Sequence, residues 1–437
     1  MQLNVCISTH MGYEMKTIGI IAEFNPFHNG HEYLIREAKR LTQANFVVVV
    51  MSGNFVQRGA PALLDKYTRT RMALENDVDL VIELPALYAT ASAEYFSRAA
   101  VRLLDKLSVV DYLCFGSECG DIELLQKAAT ALSNEDENFQ KQLQENIKMG
   151  MTFPQARSKA VDSTSQFVTD TQSTKNLDKT CFDSDIQNII NQPNNILGIE
   201  YIKALKHFSS NIVPITIKRQ GCSYHEEQAA SASAIRRVIE ELVKGTSDSS
   251  EEVREFEPLA SQADVDPEMT EKLKVLLNCR FISDFSELLY YKLLLHSDSG
   301  YSRFFDVSND LSDKIKKNLG KYTNYEDFIR ILKSKDLTYM RISRCLNHIL
   351  LDIYDDEIST FIDNDYVFYA RMLGFRDKAG DLLKKIKEQS SIPLLSKLAD
   401  ADQLLDDIGM RMLKKDIQVA HIYGRRINEY TAQIVKL

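Results

Sequence analysis

Between residues 16 and 120 the chain alternates runs that are apolar throughout with stretches of helical periodicity, which restricts the fold more than any other feature. Lys16–Phe24 (KTIGIIAEF), Asn45–Met51 (NFVVVVM), Val78–Leu84 (VDLVIEL) and Asp111–Gly116 (DYLCFG) have strand length. Helical spacing fills the gaps: at Gly30–Leu41, where Leu34, Ile35, Ala38 and Leu41 form one stripe, at Lys66–Glu75 and at Ser92–Leu107. Strands without a polar face need cover on both sides, so the expected architecture is α/β, a parallel sheet between helices.

After Gly120 the pattern loosens. A polar excursion lacking periodicity, centred on about 159–184, reads as an insertion. Alternation resumes with a helix at Asn195–Phe208, a strand at Ile212–Arg219 and a helix at Ser233–Lys244. Gly245–Glu252 (GTSDSSEE) is the best linker, and beyond it helical spacing dominates at Glu271–Leu277, Ser286–His296, Asp313–Leu319, Tyr325–Leu332, Arg341–Tyr354 and Asp377–Glu388. The expected organisation is an N-terminal extension at 1–15, an α/β domain at 16–244, a linker at 245–252 and a mostly α-helical domain at 253–437.

Composition sets limits on partners. The 437 residues are 44% hydrophobic and 26% charged, which is globular. A net charge of −9 argues against coating nucleic acid through bulk positive charge, while leaving room for a local basic face. The longest uninterrupted apolar stretch, Phe46–Met51, is far short of the ~18 residues of a membrane-crossing helix. Met1–Glu14 has neither a basic start nor an adequate apolar segment for a secretion signal, so a cytoplasmic location without membrane contact is expected. Seven scattered cysteines read as reduced thiols. The only close pair, Cys114 and Cys119, has no second ligand pair near it, so no protein-held metal is expected.

The strand Lys16–Phe24 runs into Asn25-Pro26-Phe27-His28-Asn29-Gly30-His31, and a helix follows at once. Composition alone would yield His-x-Gly-His about 0.006 times in this chain. The motif falls at the carboxyl end of the first strand and the amino end of the first helix, where open α/β sheets bind ligands and unpaired N–H groups face anions. Gly30 permits close backbone approach to a phosphate, and two imidazoles on one turn can both donate to a phosphate chain. An ordinary first helix would instead use His28 as a cap and His31 as a surface residue.

The strand, the His-x-Gly-His motif and the helix resemble the nucleotidylyltransferase superfamily, a Rossmann-like group that binds ATP and assists attack on its α-phosphate. The superfamily's Ser/Thr-rich turn entering a helix is matched by Ser231-Ala232-Ser233-Ala234-Ile235-Arg236. Ser231 or Ser233 there also serves as an ordinary N-cap, and Arg236 can reach the triphosphate. The segments GIIAEFNPFHNGH (Gly19–His31), MSGNFVQRGAP (Met51–Pro61), DLVIELP (Asp79–Pro85), FGSE (Phe115–Glu118), PNNILGIEY (Pro193–Tyr201) and IKRQGCSYH (Ile217–His225) resemble the bacterial tRNA(Met) cytidine acetate ligase family, strongly over about 16–240 and more weakly beyond. The resemblance implies that ATP and acetate form acetyl-adenylate, and that the acetyl group passes to N4 of the wobble cytidine of elongator tRNA(Met). It implies an ATP site of Ile21, Ala22, Glu23, Phe24, Asn25, Pro26, Phe27, His28, Asn29, Gly30, His31, Glu32, Tyr33, Leu34, Gly116, Asn195 and Arg219, joined by Ser233 and Arg236, with His28 and His31 catalytic. Magnesium is expected to accompany the nucleotide.

Asn54, Gln57 and Arg58 form a polar turn after the second strand, where they are candidates to hold acetate or the cytosine edge; a turn stabilised by its own Asn and Gly is the plainer reading. Lys314, Lys316, Lys317, Lys321, Lys333, Lys335, Arg341, Arg344, Lys384, Lys385, Lys387, Lys414, Lys415, Arg425 and Arg426, with Tyr339, Tyr369 and Tyr423 among them, are the candidate tRNA surface, or else solvated helix faces. Two other functions compete: adenylyl transfer to a small phosphorylated metabolite, and RNA binding without catalysis around a relic nucleotide pocket.

Overall fold

The computed structural model describes residues 15–133, 141, 145–146, 189–190, 192–219, 232–247, 279–424 and 434–437. The extension 1–14, the insertion at 159–184 and the helix expected at Glu271–Leu277 lie outside the described residues.

Four apolar runs form the parallel centre of the sheet: β1 (Thr17–Ala22), β2 (Phe46–Ser52), then, after a short β3 (Phe55–Val56) and β4 (Ala60–Pro61), β5 (Leu80–Leu84) and β6 (Tyr112–Ser117). β7 (Val213–Lys218) joins β6, also in parallel. β3 and β4 pair antiparallel with each other as a separate hairpin. Five helices alternate with these strands: α1 (Asn29–Thr42), α2 (Lys66–Glu75), α3 (Ala86–Ala89), α4 (Ala93–Lys106) and α5 (Ile122–Ser133). α6 (Pro193–His207) precedes β7 and α7 (Ala232–Ser247) follows it, running into the stretch 245–252 expected as a linker. The parallel strands are ordered β5-β2-β1-β6-β7, so connections leave β1 in opposite directions and a crevice opens between the carboxyl ends of β1 and β6. At Gly19 an added Cβ would meet Leu104 Cδ1 at 2.9 Å, so β1 lies close against α4.

The second half is mostly helical: α8 (Ser286–Leu295), α9 (Asn309–Asn318), α10 (Tyr325–Leu332), α11 (Tyr339–Leu350), α12 (Asp355–Asp363), α13 (Gly380–Gln389), α14 (Ala401–Leu404) and α15 (Asp407–Gly424). α10 shows the underlying pattern: Asn324 caps it by accepting from Asp327 N at 2.9 Å, and Tyr325, Phe328, Ile329 and Leu332 bury one stripe.

Expectation and structure part company on the C-terminal half, which returns strands to the sheet. β8 (Ala370–Phe375) pairs antiparallel with β5, while β9 (Leu394–Leu395) and β10 (Val435–Lys436) flank β8. β8 covers the edge that β5 would otherwise expose. One continuous apolar core runs from Val48, Ile82 and Phe96 to Leu289, Phe328 and Leu346. His348, fully buried, bridges the halves through Thr90 O at 3.0 Å and Phe305 O at 2.8 Å, and is a core residue. Among the described residues, no helix is long and apolar enough to cross a membrane.

Candidate active site

The histidine loop lies in the crevice between β1 and β6. Phe24, at φ 46°, turns the chain out of β1, and the Asn25–Pro26 bond is cis. His28 is the N-cap of α1 and its Nδ1 accepts from Gly30 N at 3.0 Å. His31 Nδ1 in turn accepts from His28 N at 3.3 Å, closing a reciprocal capping box. A Cβ at residue 30 would stand 2.8 Å from His28 Cε1, so glycine makes room for the capping imidazole itself. The two rings stack with centroids 3.9 Å apart, and Phe24 packs edge-on to His31 at 4.8 Å.

These contacts set the protonation state. Burial, then the charges of Arg219 and Arg236, holds His28 below the usual histidine range. Burial, His28 and Arg219 push His31 well below it. Both rings are therefore neutral near pH 7, and since each Nδ1 accepts a backbone N–H, each proton sits on Nε2. The loop thus presents two Nε2–H donors carrying no net charge.

The other expected residues divide between those beside this loop and those supporting it. Arg236 Nη1 donates to Asn25 O and its Nη2 to Ser233 Oγ at 3.0 Å, while Arg58 Nη1 donates to the same hydroxyl at 3.0 Å. Arg219 continues β7; its N donates to Ser117 O at 3.0 Å, and a Cβ at Gly116 would lie 3.4 Å from its Cγ. Asn195 is fully buried: its Oδ1 accepts from Glu118 N at 2.9 Å and Cys119 N at 3.3 Å, and Glu118 Oε2 accepts from Asn195 N at 2.8 Å. It therefore fixes the loop after β6 to the start of α6. Glu23 Oε1 accepts from Gln57 N at 2.9 Å and Asn25 Oδ1 from Leu63 N at 2.8 Å. Asn54, buried, accepts from Lys66 N at 3.1 Å, so its carbonyl oxygen is used in holding the turn. Within Ile21–Leu34, Ile21 belongs to the large core, Ala22, Phe27, Tyr33 and Leu34 pack against a second apolar cluster that includes Ile20, Phe24 and Ile35, Pro26 is buried, and Asn29 and Glu32 are exposed.

Sequence reasoning missed two buried groups that fix the carboxyl ends of the strands beside the crevice. Arg69, fully buried, donates to Glu23 O at 2.6 Å, Ser52 O at 3.0 Å, Leu64 O at 2.9 Å and Gly53 O, clamping the carboxyl ends of β1 and β2 together. Lys66 donates to both carboxylate oxygens of Glu83 at 2.6 and 2.7 Å, and Arg371 of β8 lies 3.3 Å from the same carboxylate. Nothing in the local pattern marks these residues, because α2 reads as a polar helix and its buried face becomes known only when the hairpin and β8 are in place.

The candidate tRNA surface is smaller than expected. Tyr369 and Tyr423 are buried, donating to Asp416 Oδ2 and Ala62 O, so neither offers a face to a base. Lys415 is buried and donates to Asp352 O at 2.6 Å; Lys314 donates to Leu332 O at 2.6 Å. Lys316, Lys317, Lys321, Lys333, Lys335, Lys384, Lys387 and Lys414 are exposed, and Arg425 and Arg426 lie outside the described residues. Among the described residues, no group of three or more His, Cys, Asp or Glu side chains is placed to hold a metal ion.

The chain's likeness to known proteins covers nearly all of it. The family model described as HIGH Nucleotidyl Transferase matches residues 15–436. A tRNA(Met) cytidine acetate ligase of Caldanaerobacter subterraneus is 40% identical over 94% of this chain and 95% of its own, and one of Clostridium perfringens is 39% identical over the same shares. The crystal structure of Thermotoga maritima TmcAL bound with alpha-thio ATP superposes with a TM-score of 0.80 at 28% identity, covering 97% of this chain and 100% of that one. The chain belongs to the HIGH nucleotidyl transferase family and, within it, to the tRNA(Met) cytidine acetate ligases.

Proposed function

We propose that this chain is an ATP-dependent ligase that activates acetate as acetyl-adenylate and transfers the acetyl group to N4 of the wobble cytidine of elongator tRNA(Met), acting in the cytoplasm. The observation that carries the reading is the pair of neutral imidazoles at the crevice between β1 and β6, with Nδ1 atoms spent on the backbone and Arg219 and Arg236 close enough to depress both or one of them.

An acetate oxygen bonds to the α-phosphorus, the bond from that phosphorus to the bridging oxygen breaks, and pyrophosphate leaves with the electron pair. The N4 amine then attacks the acetyl carbon, AMP departs, and N4 loses a proton. In the first step two anions must meet, so His28 and His31 donate to oxygens where charge builds, without adding cations that would have to be desolvated. Arg219 and Arg236 supply the compensating charge. Among the described residues no group of three or more acids, histidines or cysteines is placed to hold a metal ion; magnesium accompanying the nucleotide would neutralise phosphate charge, and no step is assigned to it. Asn195, Arg69 and Glu23 act through other residues, keeping the strand ends and loops in register.

Incubation with ATP, labelled acetate and bulk tRNA tests the proposal. Label in cytidine is expected, with one AMP released per acetyl group. Label confined to small molecules, or tight tRNA binding without label, would replace the reading with one of its two competitors.

A further inference from the structure

The Arg58 guanidinium lies beside the nucleotide loop, reached from an element that neither the His-x-Gly-His motif nor the Ser-Arg motif contains. Arg58 sits in the turn of the β3–β4 hairpin. Its Nη1 and Arg236 Nη2 each donate to Ser233 Oγ at 3.0 Å, and Arg236 Nη1 reaches Asn25 O, three residues before His28. Two guanidiniums from separate elements therefore converge on one uncharged hydroxyl in the first turn of α7. Among the described residues, no acid forms an ion pair with either. The acid whose charge acts on Arg236, Glu23, accepts from Gln57 N at 2.9 Å through its Oε1. Burial, and after it the charge of Arg58, pulls Arg236 down to about 10. A cation pair held together in this way calls for an anion of matching charge. Acetate carries one negative charge and would leave the pair overcharged; a departing pyrophosphate carries several, and its oxygens suit two guanidinium forks and a helix amino terminus.

Building on the proposed adenylation, we propose that Arg58 is a leaving-group residue: with Arg236 and Ser233 it holds the β- and γ-phosphates and receives pyrophosphate as it departs, and it touches neither acetate nor the cytosine edge. The chain thereby supplies the polyphosphate site from the loop after β1, the β3–β4 hairpin and α7.

Calorimetric titration of the full chain with AMP, ATP and inorganic pyrophosphate, beside acetate-dependent ATP–pyrophosphate exchange, tests this on Arg58→Ala and Arg58→Lys. Arg58→Ala should weaken ATP and pyrophosphate binding about tenfold or more while AMP affinity and the KM for acetate stay at wild-type values. Arg58→Lys, which keeps the charge and loses the fork, should recover part of the loss. A raised KM for acetate with ATP affinity unchanged, or no change in any ligand, overturns the assignment while leaving the adenylation reading intact. A wild-type chain that binds neither AMP nor ATP overturns both.

Discussion

Gly59 is the point at which the hairpin carrying Arg58 leans on the helical half, and replacing it with alanine is the sharpest perturbation of the site that touches no ligand. Its φ of 74° costs an L residue ~1–2 kcal/mol. The added Cβ would also lie 2.4 Å from Arg344 N and 2.5 Å from Ser343 C, backbone atoms of α11 that cannot rotate away. Restoring ordinary contact requires a shift of about 1 Å, in a core packed as densely as an organic crystal. That shift opens the bond from Ser343 Oγ to Gly59 O, now 2.8 Å and buried, for roughly 1 kcal/mol more. Gly59→Ala should therefore lose about 2–4 kcal/mol by urea unfolding. Displacing the neighbouring Arg58 by a comparable distance should lower ATP–pyrophosphate exchange by up to ~100-fold, with the KM for ATP rising. Ser343→Ala, which removes the bond without the clash, should lose only ~1 kcal/mol and little exchange activity. A Gly59→Ala protein with wild-type stability and wild-type KM for ATP would refute the idea that the hairpin is seated on α11.

Three further outcomes follow from the same geometry. Glu83→Leu removes the buried carboxylate that both Lys66 and Arg371 face and should cost ~3–5 kcal/mol in chemical denaturation, against less for Lys66→Met, which leaves Glu83 beside Arg371; equal losses would contradict the pairing. Because His28 and His31 titrate below 6.5 in the folded chain, the unfolded chain takes up protons first as the medium is acidified, so their contribution is complete above pH 6.5 and declines below it. Unfolding midpoints at pH 7.5 and 5.5 should show this loss, and a His31→Asn variant should lose less between the two pH values; an equal loss removes the histidines as its source. Binding of tRNA should weaken steeply with salt, and neutralising exposed Lys317 and Lys321 together should reduce the log–log slope by about 2; a flat response in the wild type removes phosphate contacts from the recognition.

What could be read before the structure follows from where each residue's environment is set. β1, β2 and β5 were legible because strands buried on both faces must be apolar along their whole length, a property of the segment alone. The His-x-Gly-His loop was legible because its chemistry is local: cap, glycine and second imidazole lie within one turn. β8 was not, because ARMLGF consists largely of good helix formers and becomes a strand only by docking on β5. The short hairpin was invisible as secondary structure, its two-residue strands being held by contacts from distant segments. Tyr369, Tyr423 and Lys415 were misplaced for the same reason, since a helix or strand pattern does not say which neighbour covers an otherwise polar face.

The hairpin also bears on how the two halves of the reaction communicate. On one side Gln57 N and Leu63 N bond Glu23 and Asn25 of the histidine loop. On the other, Ser343, Tyr423 and Arg280 N bond Gly59 O, Ala62 O and Leu63 O, all from the C-terminal half. Residues 57–63 are thus tied to both halves across a single layer, which leaves no hinge there. With β8 closing the edge of β5 and one apolar core spanning both halves, the helical half stands at a fixed distance from the crevice between β1 and β6. Transfer from acetyl-adenylate to cytidine then depends on how the wobble base reaches into a preformed crevice, because closure of one half over the other would break the hydrogen bonds that hold Arg58 in place.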